Sequence, residues 1–339
     1  MKHLNLFTET NRKKWVNKRS KESKFGEHVQ LITKTENIYE QLQNLDVSYV
    51  LLGIPEDIGV FANGGETGTS NAWISTLKTL LNLQSNTFTN PNKLVVLGTL
   101  DFSEYANKIA FLNPKKRTDQ KKARKLVCEI DKVVSQLVHD IVRAGKKPII
   151  IGGGHNNAYG ILKGTALALN SPINCINFDT HSNFRTEEGR HNGNAFSYAF
   201  SEGFLKKYFV FGLHEKTTSQ DILNTLKGLK KFVQFNTYEA LEIRKELKFK
   251  KECKHAFTHI GNSNFGIEID CNAIAGIPTS AMIPCGFTPS KAREFISFFG
   301  AKENASYLHI CEAAPNLGSK KTASLTAKLI SYLVTDFMR

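Results

Sequence analysis

Ile173-Asn174-Cys175-Ile176-Asn177-Phe178-Asp179-Thr180-His181-Ser182-Asn183-Phe184-Arg185 is the stretch from which the fold is read. The short, largely apolar run from Ile173 to Phe178 reads as a buried parallel strand. At its carboxyl end Asp179, His181 and Asn183 stand at alternate positions. In extended chain such residues point the same way, so a carboxylate, an imidazole and a third oxygen donor converge. That is how a cleft in an open α/β sheet acquires a metal or catalytic site.

Two other strand ends offer the same chemistry. Ile149-Ile150-Ile151 runs into Gly152-Gly153-Gly154 and then His155, with the glycines allowing a sharp turn. Farther on, the apolar run Phe265-Gly266-Ile267-Glu268-Ile269 ends in Asp270-Cys271-Asn272. A lone strand-end Asp or His is more often a hydrogen-bonding turn residue than a ligand. Three such ends together read as a constellation.

Those three motifs resemble the ureohydrolase (arginase) family, and among its branches the formimidoylglutamases. The family pattern is Gly-Gly-x-His, then Asp-x-His-x-Asp, then Asp-x-Asp. The resemblance implies six ligands for a manganese pair, and it runs from about Gly53 to the C-terminus. Carried over one by one, the metal ligands are His155, Asp179, His181, Asn183, Asp270 and Asn272. The family has Asp where this chain has Asn183 and Asn272. The implied fold is a three-layer α/β/α arrangement with a mostly parallel central sheet. The implied activity is hydrolysis of a C–N bond in a formimino or guanidino compound.

The same resemblance assigns the substrate side. Asn63-Gly64-Gly65 lies in a glycine-rich loop after the first strand and is similar to the family's substrate loop, which makes Asn63 and Gly64 candidates. In Gly189-Arg190-His191-Asn192-Gly193-Asn194, Asn192 takes the place of a substrate-facing polar group. His191 is a candidate general acid or proton shuttle, and Asn194 a candidate substrate contact. Glu312-Ala313-Ala314-Pro315 is similar to the family's Glu-x-x-Pro, with Glu312 facing a cationic amidino group. The family carries an Asp shortly after it, where this chain has Gly318.

The totals narrow the remaining classes. A chain of 339 residues with 41% apolar content suits one large α/β unit. Residues 46–339 are expected to form it, after a basic extension of one or two surface helices over residues 1–45. The net charge of +14 comes from clusters such as Lys115-Lys116-Arg117 and Lys121-Lys122, without a nucleic-acid motif. They read as solvated helical faces rather than a polyanion-binding surface. Six cysteines without a Cys-x-x-Cys pair fit reduced thiols in a cytoplasmic protein. No apolar run is long enough for a membrane span. The resemblance further implies a homo-oligomer.

The two asparagines bear on the chemistry. Four aspartates would match the +4 of two divalent ions, whereas Asp179 and Asp270 alone supply −2. Asparagine keeps one carbonyl oxygen but neither charge nor bidentate binding. Two expectations follow: a hydrolase with a weakened or single-ion manganese site, or an inactive relative that binds or regulates. A metal-free hydrogen-bonded cluster of the same residues is the bland alternative.

Overall fold

The computed structural model describes residues 3–339. Its strands are β1 (Leu4–Leu6), β2 (Tyr49–Gly53), β3 (Leu94–Leu100), β4 (Lys147–Ile151), β5 (Ile173–Phe178), β6 (Leu205–Leu213), β7 (Val233–Thr237), β8 (Phe265–Asp270) and β9 (Ala305–Cys311). They form one sheet in the order β1-β3-β2-β4-β9-β8-β5-β6-β7. Every pairing is parallel except β1 with β3.

Helices connect the strands: α1 (Glu9–Trp15), α2 (Ile38–Asn44), α3 (Ile58–Ala62), α4 (Ala72–Leu81), α5 (Ser103–Ile109), α6 (Arg117–Arg143), α7 (Asn157–Ala168), α8 (Ala195–Ser201), α9 (Gln220–Gly228), α10 (Phe249–Ile260), α11 (Pro289–Gly300) and α12 (Lys320–Phe337). Successive strand residues face opposite sides. Ile149 and Ile151 pack in one core with α4, α10, α11 and α12, while Ile150 packs in the other with α6 and α7. Both faces of β5 are therefore covered, which is why its run is apolar without alternation. The three-layer α/β/α fold is the one expected.

The first 45 residues depart from the helical expectation. They hold α1 and α2, but Leu4–Leu6 adds a strand, with Leu4 opposite Leu100 and Leu6 opposite Gly98. Three residues are too few for a strand to be legible, and β3 supplies the pairing partner. Gly98 allows it: a Cβ there would lie 2.1 Å from the Asn5 carbonyl oxygen. The lysines at 115, 116, 121, 122, 250 and 251 are exposed. No helix among the described residues is long and apolar enough to cross a membrane.

A close approach between β8 and β9 supports the site above it. Gly266 lies opposite Tyr307, and a Cβ on it would come 2.1 Å from the tyrosine ring. The Tyr307 hydroxyl in turn donates to Glu268 Oε1 at 2.7 Å. Gly266→Ala must push the ring aside, and is expected to lower unfolding free energy by about 1–3 kcal/mol in urea denaturation. An unchanged midpoint would show that the ring gives way without cost.

Candidate metal centre and active site

The carboxyl ends of β4, β9, β8 and β5 lie side by side at the middle of the sheet, where open α/β sheets form their clefts. From β4 the chain turns through Gly152 and Gly153, at φ +92° and +77°. A Cβ on Gly153 would lie 2.6 Å from the Ile54 carbonyl oxygen. The glycines thus let His155 be delivered, fully buried, to the mouth of the sheet.

His155 Nδ1 stands 3.2 Å from Asp179 Oδ2 and 3.2 Å from Asp270 Oδ2. The three residues offer ligand atoms within 4.8 Å of one another. Asn183 joins them: its amide nitrogen donates to Asp179 Oδ2 at 2.8 Å and lies 2.7 Å from His155 Nδ1. His181 and Asn272 are held at the cleft wall. The His181 backbone N–H donates to Asp179 Oδ1 at 2.8 Å, and its ring stands 3.5 Å from that oxygen. Asn272 donates its backbone N–H to Asp270 Oδ1 at 2.7 Å, and its own Oδ1 accepts from the Ala281 N–H at 3.2 Å.

Charge is divided unevenly between the two aspartates. Burial pushes the Asp179 carboxyl up, but His155 and His181 outweigh it and hold it low. Asp270 is raised, first by burial and then by the charge of Asp179. Burial alone would depress the His155 imidazole; Cys311, Asp179 and Asp270 reverse this and raise it.

The donor set does not fit a pair of divalent cations. It carries two carboxylates rather than four, and the Asn183 amide points its N–H groups at the ligand atoms. One cation fits among His155, Asp179 and Asp270, provided that Asn183 presents its oxygen instead. Charge balance is then met, −2 against +2.

Beside these residues opens a cleft of about 620 Å³ whose walls include Asn63, His181, Arg185, Asn192, Ser280 and Glu312. Glu312 sits at φ +62°, a left-handed conformation unusual outside glycine and asparagine. Its Oε1 accepts from the His155 N–H at 2.7 Å and from Asn192 Nδ2 at 3.0 Å, and the Ser280 hydroxyl donates to Oε2. Asn192 is in turn held by Asn63, which donates to its Oδ1 at 2.9 Å. Asn63, Asn192 and Glu312 are thus brought together.

Three other expected residues are not placed for contact. Asn194 is buried, and its amide is spent inside its own loop on Arg190, the His191 N–H and the Thr186 and Gly189 carbonyls. Gly64, at φ +77°, forms a turn between Asn63 and Gly65, which do line the cleft. His191 is buried, with Nδ1 accepting the Gly193 N–H at 3.0 Å. Burial, then the charges of Arg185, Arg124 and Arg190, push this imidazole down to about 3. A group that low is not an imidazolium near neutral pH and is poorly matched to a general-acid role.

Several contributors carry no motif of their own. Arg185 donates to Asn63 Oδ1 at 2.7 Å. It reaches the cleft because the chain turns at Asn183, at φ +46°, which strand spacing does not foretell. Glu56 is buried and ties two loops together, accepting from the Ile58 N–H at 2.7 Å and from Asn157 Nδ2 at 2.8 Å. Glu268, an acid inside an apolar run two residues before Asp270, was the one legible signal of a polar layer beneath the cleft.

The arginase-family sequence profile matches residues 47–335. This chain belongs to the arginase family. A formimidoylglutamase of Streptococcus pyogenes is 24% identical over 299 residues, covering 84% of each chain. Among solved structures, a Trypanosoma cruzi formiminoglutamase with manganese superposes at TM-score 0.71 and 17% identity, over 93% of this chain and 98% of that one. A Bacillus subtilis formimidoylglutamase gives TM-score 0.71 and 17% identity, over 95% and 94%. At those identities the structures show a shared arginase fold.

The state of His191 is open to direct measurement. Its imidazole is expected to stay neutral, protonated at Nε2, in NMR spectra between pH 5 and 8. Below about 6.5 the unfolded chain takes up a proton that the folded one refuses until about 3. Stability therefore falls with pH across that window, and His191→Gln is expected to flatten the fall. A chemical-shift titration near pH 6.5 would contradict the assignment.

Proposed function

We propose that the chain is a metal-dependent hydrolase of a C–N bond in a formimino or guanidino compound, with a one-ion centre in place of a manganese pair. The observation that carries this reading is Glu312, a buried carboxylate in a costly backbone conformation beside His155, Asp179 and Asp270. Backbone strain of this kind, about 1–3 kcal/mol, persists where surrounding contacts over-determine it and is concentrated at functional sites. The relatives named formimidoylglutamase support the substrate class, and the manganese named with the Trypanosoma cruzi structure supports the metal.

His155, Asp179 and Asp270 would hold the cation, and His181 lies near enough to assist. A bound divalent cation there supplies a water of lowered pKa as nucleophile. The remaining steps belong to the protein. Glu312 pairs with the amidinium of the substrate. Ser280, Asn192 and the His155 N–H fix both of its oxygens, so the carboxylate is oriented before substrate arrives. Asn63 holds Asn192, and Arg185 brings a positive charge to the cleft wall, suited to a substrate carboxylate. Free cysteines support a reducing, cytoplasmic setting. A homo-oligomer is proposed from family likeness alone.

A specific contact favours a second reading. The Asn183 amide already satisfies Asp179 and adjoins His155 Nδ1, as a metal-free, inactive member would require. Metal analysis with activity assays on formimino and guanidino compounds decides between them. The natural chain is expected to take up no more than one manganese ion. The double variant Asn183→Asp plus Asn272→Asp is expected to take up two, with affinity raised at least about 10–100-fold. Formamide or urea release by the natural chain, lost in Glu312→Gln, supports the hydrolase. Release by the double variant alone establishes the inactive reading.

A further inference from the structure

Behind the cleft floor, where β8 and β9 run side by side, lies a polar cluster of which the proposed chemistry uses only His155. One nitrogen of His155, one of His309 and the Cys311 sulfur lie within 4.8 Å of one another, all three residues being buried. His309 and Cys311 are two residues apart on β9 and share a face. Glu268 stands opposite His309 in the sheet. Its Oε2 is 2.6 Å from His309 Nδ1 and 3.3 Å from His155 Nε2.

His309 Nδ1 is taken up by the Glu268 carboxylate at 2.6 Å, so Nε2 is the nitrogen free to bind. His155 Nδ1 faces the carboxylates of Asp179 and Asp270 and the Asn183 amide, so its Nε2 is the nitrogen turned toward Glu268 and the strands below. Neither Nε2 has a hydrogen-bond partner among the described residues. A buried polar atom without a hydrogen-bond partner is costly, and both rings here belong to the cluster that holds the Cys311 thiol. A carboxylate on the far nitrogen is also the usual support of a metal-ligating histidine.

We propose that His155, His309 and Cys311 bind one thiophilic divalent cation, Zn²⁺ or Co²⁺, with Glu268 orienting the His309 ring. Two imidazoles and a thiolate select such ions over manganese. Cys311 binds as the thiolate and its proton passes to solvent. Tetrahedral zinc, with bonds of about 2.0–2.3 Å, sets its ligand atoms about 3.3–3.7 Å apart. The three side chains therefore close inward by roughly an ångström on binding. Sulfur ligation separates this site from the cleft above, whose donors are nitrogen and oxygen only. The inference does not rest on the hydrolytic reading.

The full chain, expressed with cobalt supplied in place of zinc, provides the test. One Co²⁺ per chain is expected, with a near-ultraviolet thiolate-to-cobalt charge-transfer band. The band should vanish in Cys311→Ser and persist in Cys285→Ser, which removes an exposed thiol. X-ray absorption at the zinc edge of the natural, zinc-loaded chain needs no variant, and should show one sulfur and two imidazole nitrogens around the ion. No band, a band surviving in Cys311→Ser, or a zinc shell without sulfur overturns the proposal.

Discussion

Four carboxylates, Asp179, Glu268, Asp270 and Glu312, are buried at or just beneath neighbouring strand ends with no Lys or Arg among their hydrogen-bond partners in the described residues. An isolated ionised carboxylate in a protein interior is too costly to keep. The molecule answers with imidazoles and amides: His155 between Asp179 and Asp270, His309 against Glu268, Asn177 and Asn183 on Asp179, Asn192 on Glu312. At Asp179 burial is outweighed by His155 and His181, and the carboxyl is held low. At Asp270 burial and then the charge of Asp179 raise it.

That balance explains why exchanging Asp for Asn at two positions is tolerated. An aspartate at 183 would add a third charge beside Asp179 and Asp270, to be met by cations or protons. An asparagine supplies N–H donors at the same place. The exchange lowers the charge that cations or protons would have to balance. Glu312 shows no such relaxation. It keeps its charge-bearing group, its left-handed backbone and donors on both oxygens, so this wall of the cleft is held by more direct contacts.

The sheet makes these contacts possible because parallel strands bring all their carboxyl ends to one rim. β8 and β9, the last strands in sequence, insert between β4 and β5. His155, Asp179, Asp270 and Glu312, spread over 158 residues of chain, thereby become neighbours. Glycines set the spacing: Gly153 brings the His155 loop against Ile54, and Gly266 leaves room for the ring of Tyr307.

The sequence by itself determined the strand–helix alternation and the strand ends carrying His155, Asp179, Asp270 and Glu312. These depend on local periodicity and on residue types that few other places in a core accept. It also determined the charge of the ligand set, since Asn183 and Asn272 lack a carboxylate in any fold. Only the tertiary structure decided that β1 joins the sheet, that His191 is buried within the field of three arginines, and that Asn194 is spent within its own loop. It alone placed Arg185 in the cleft and set Glu268, His309 and Cys311 behind His155. Each of those outcomes depends on strand order and on the direction a side chain takes after a left-handed turn, and neither is written in local sequence.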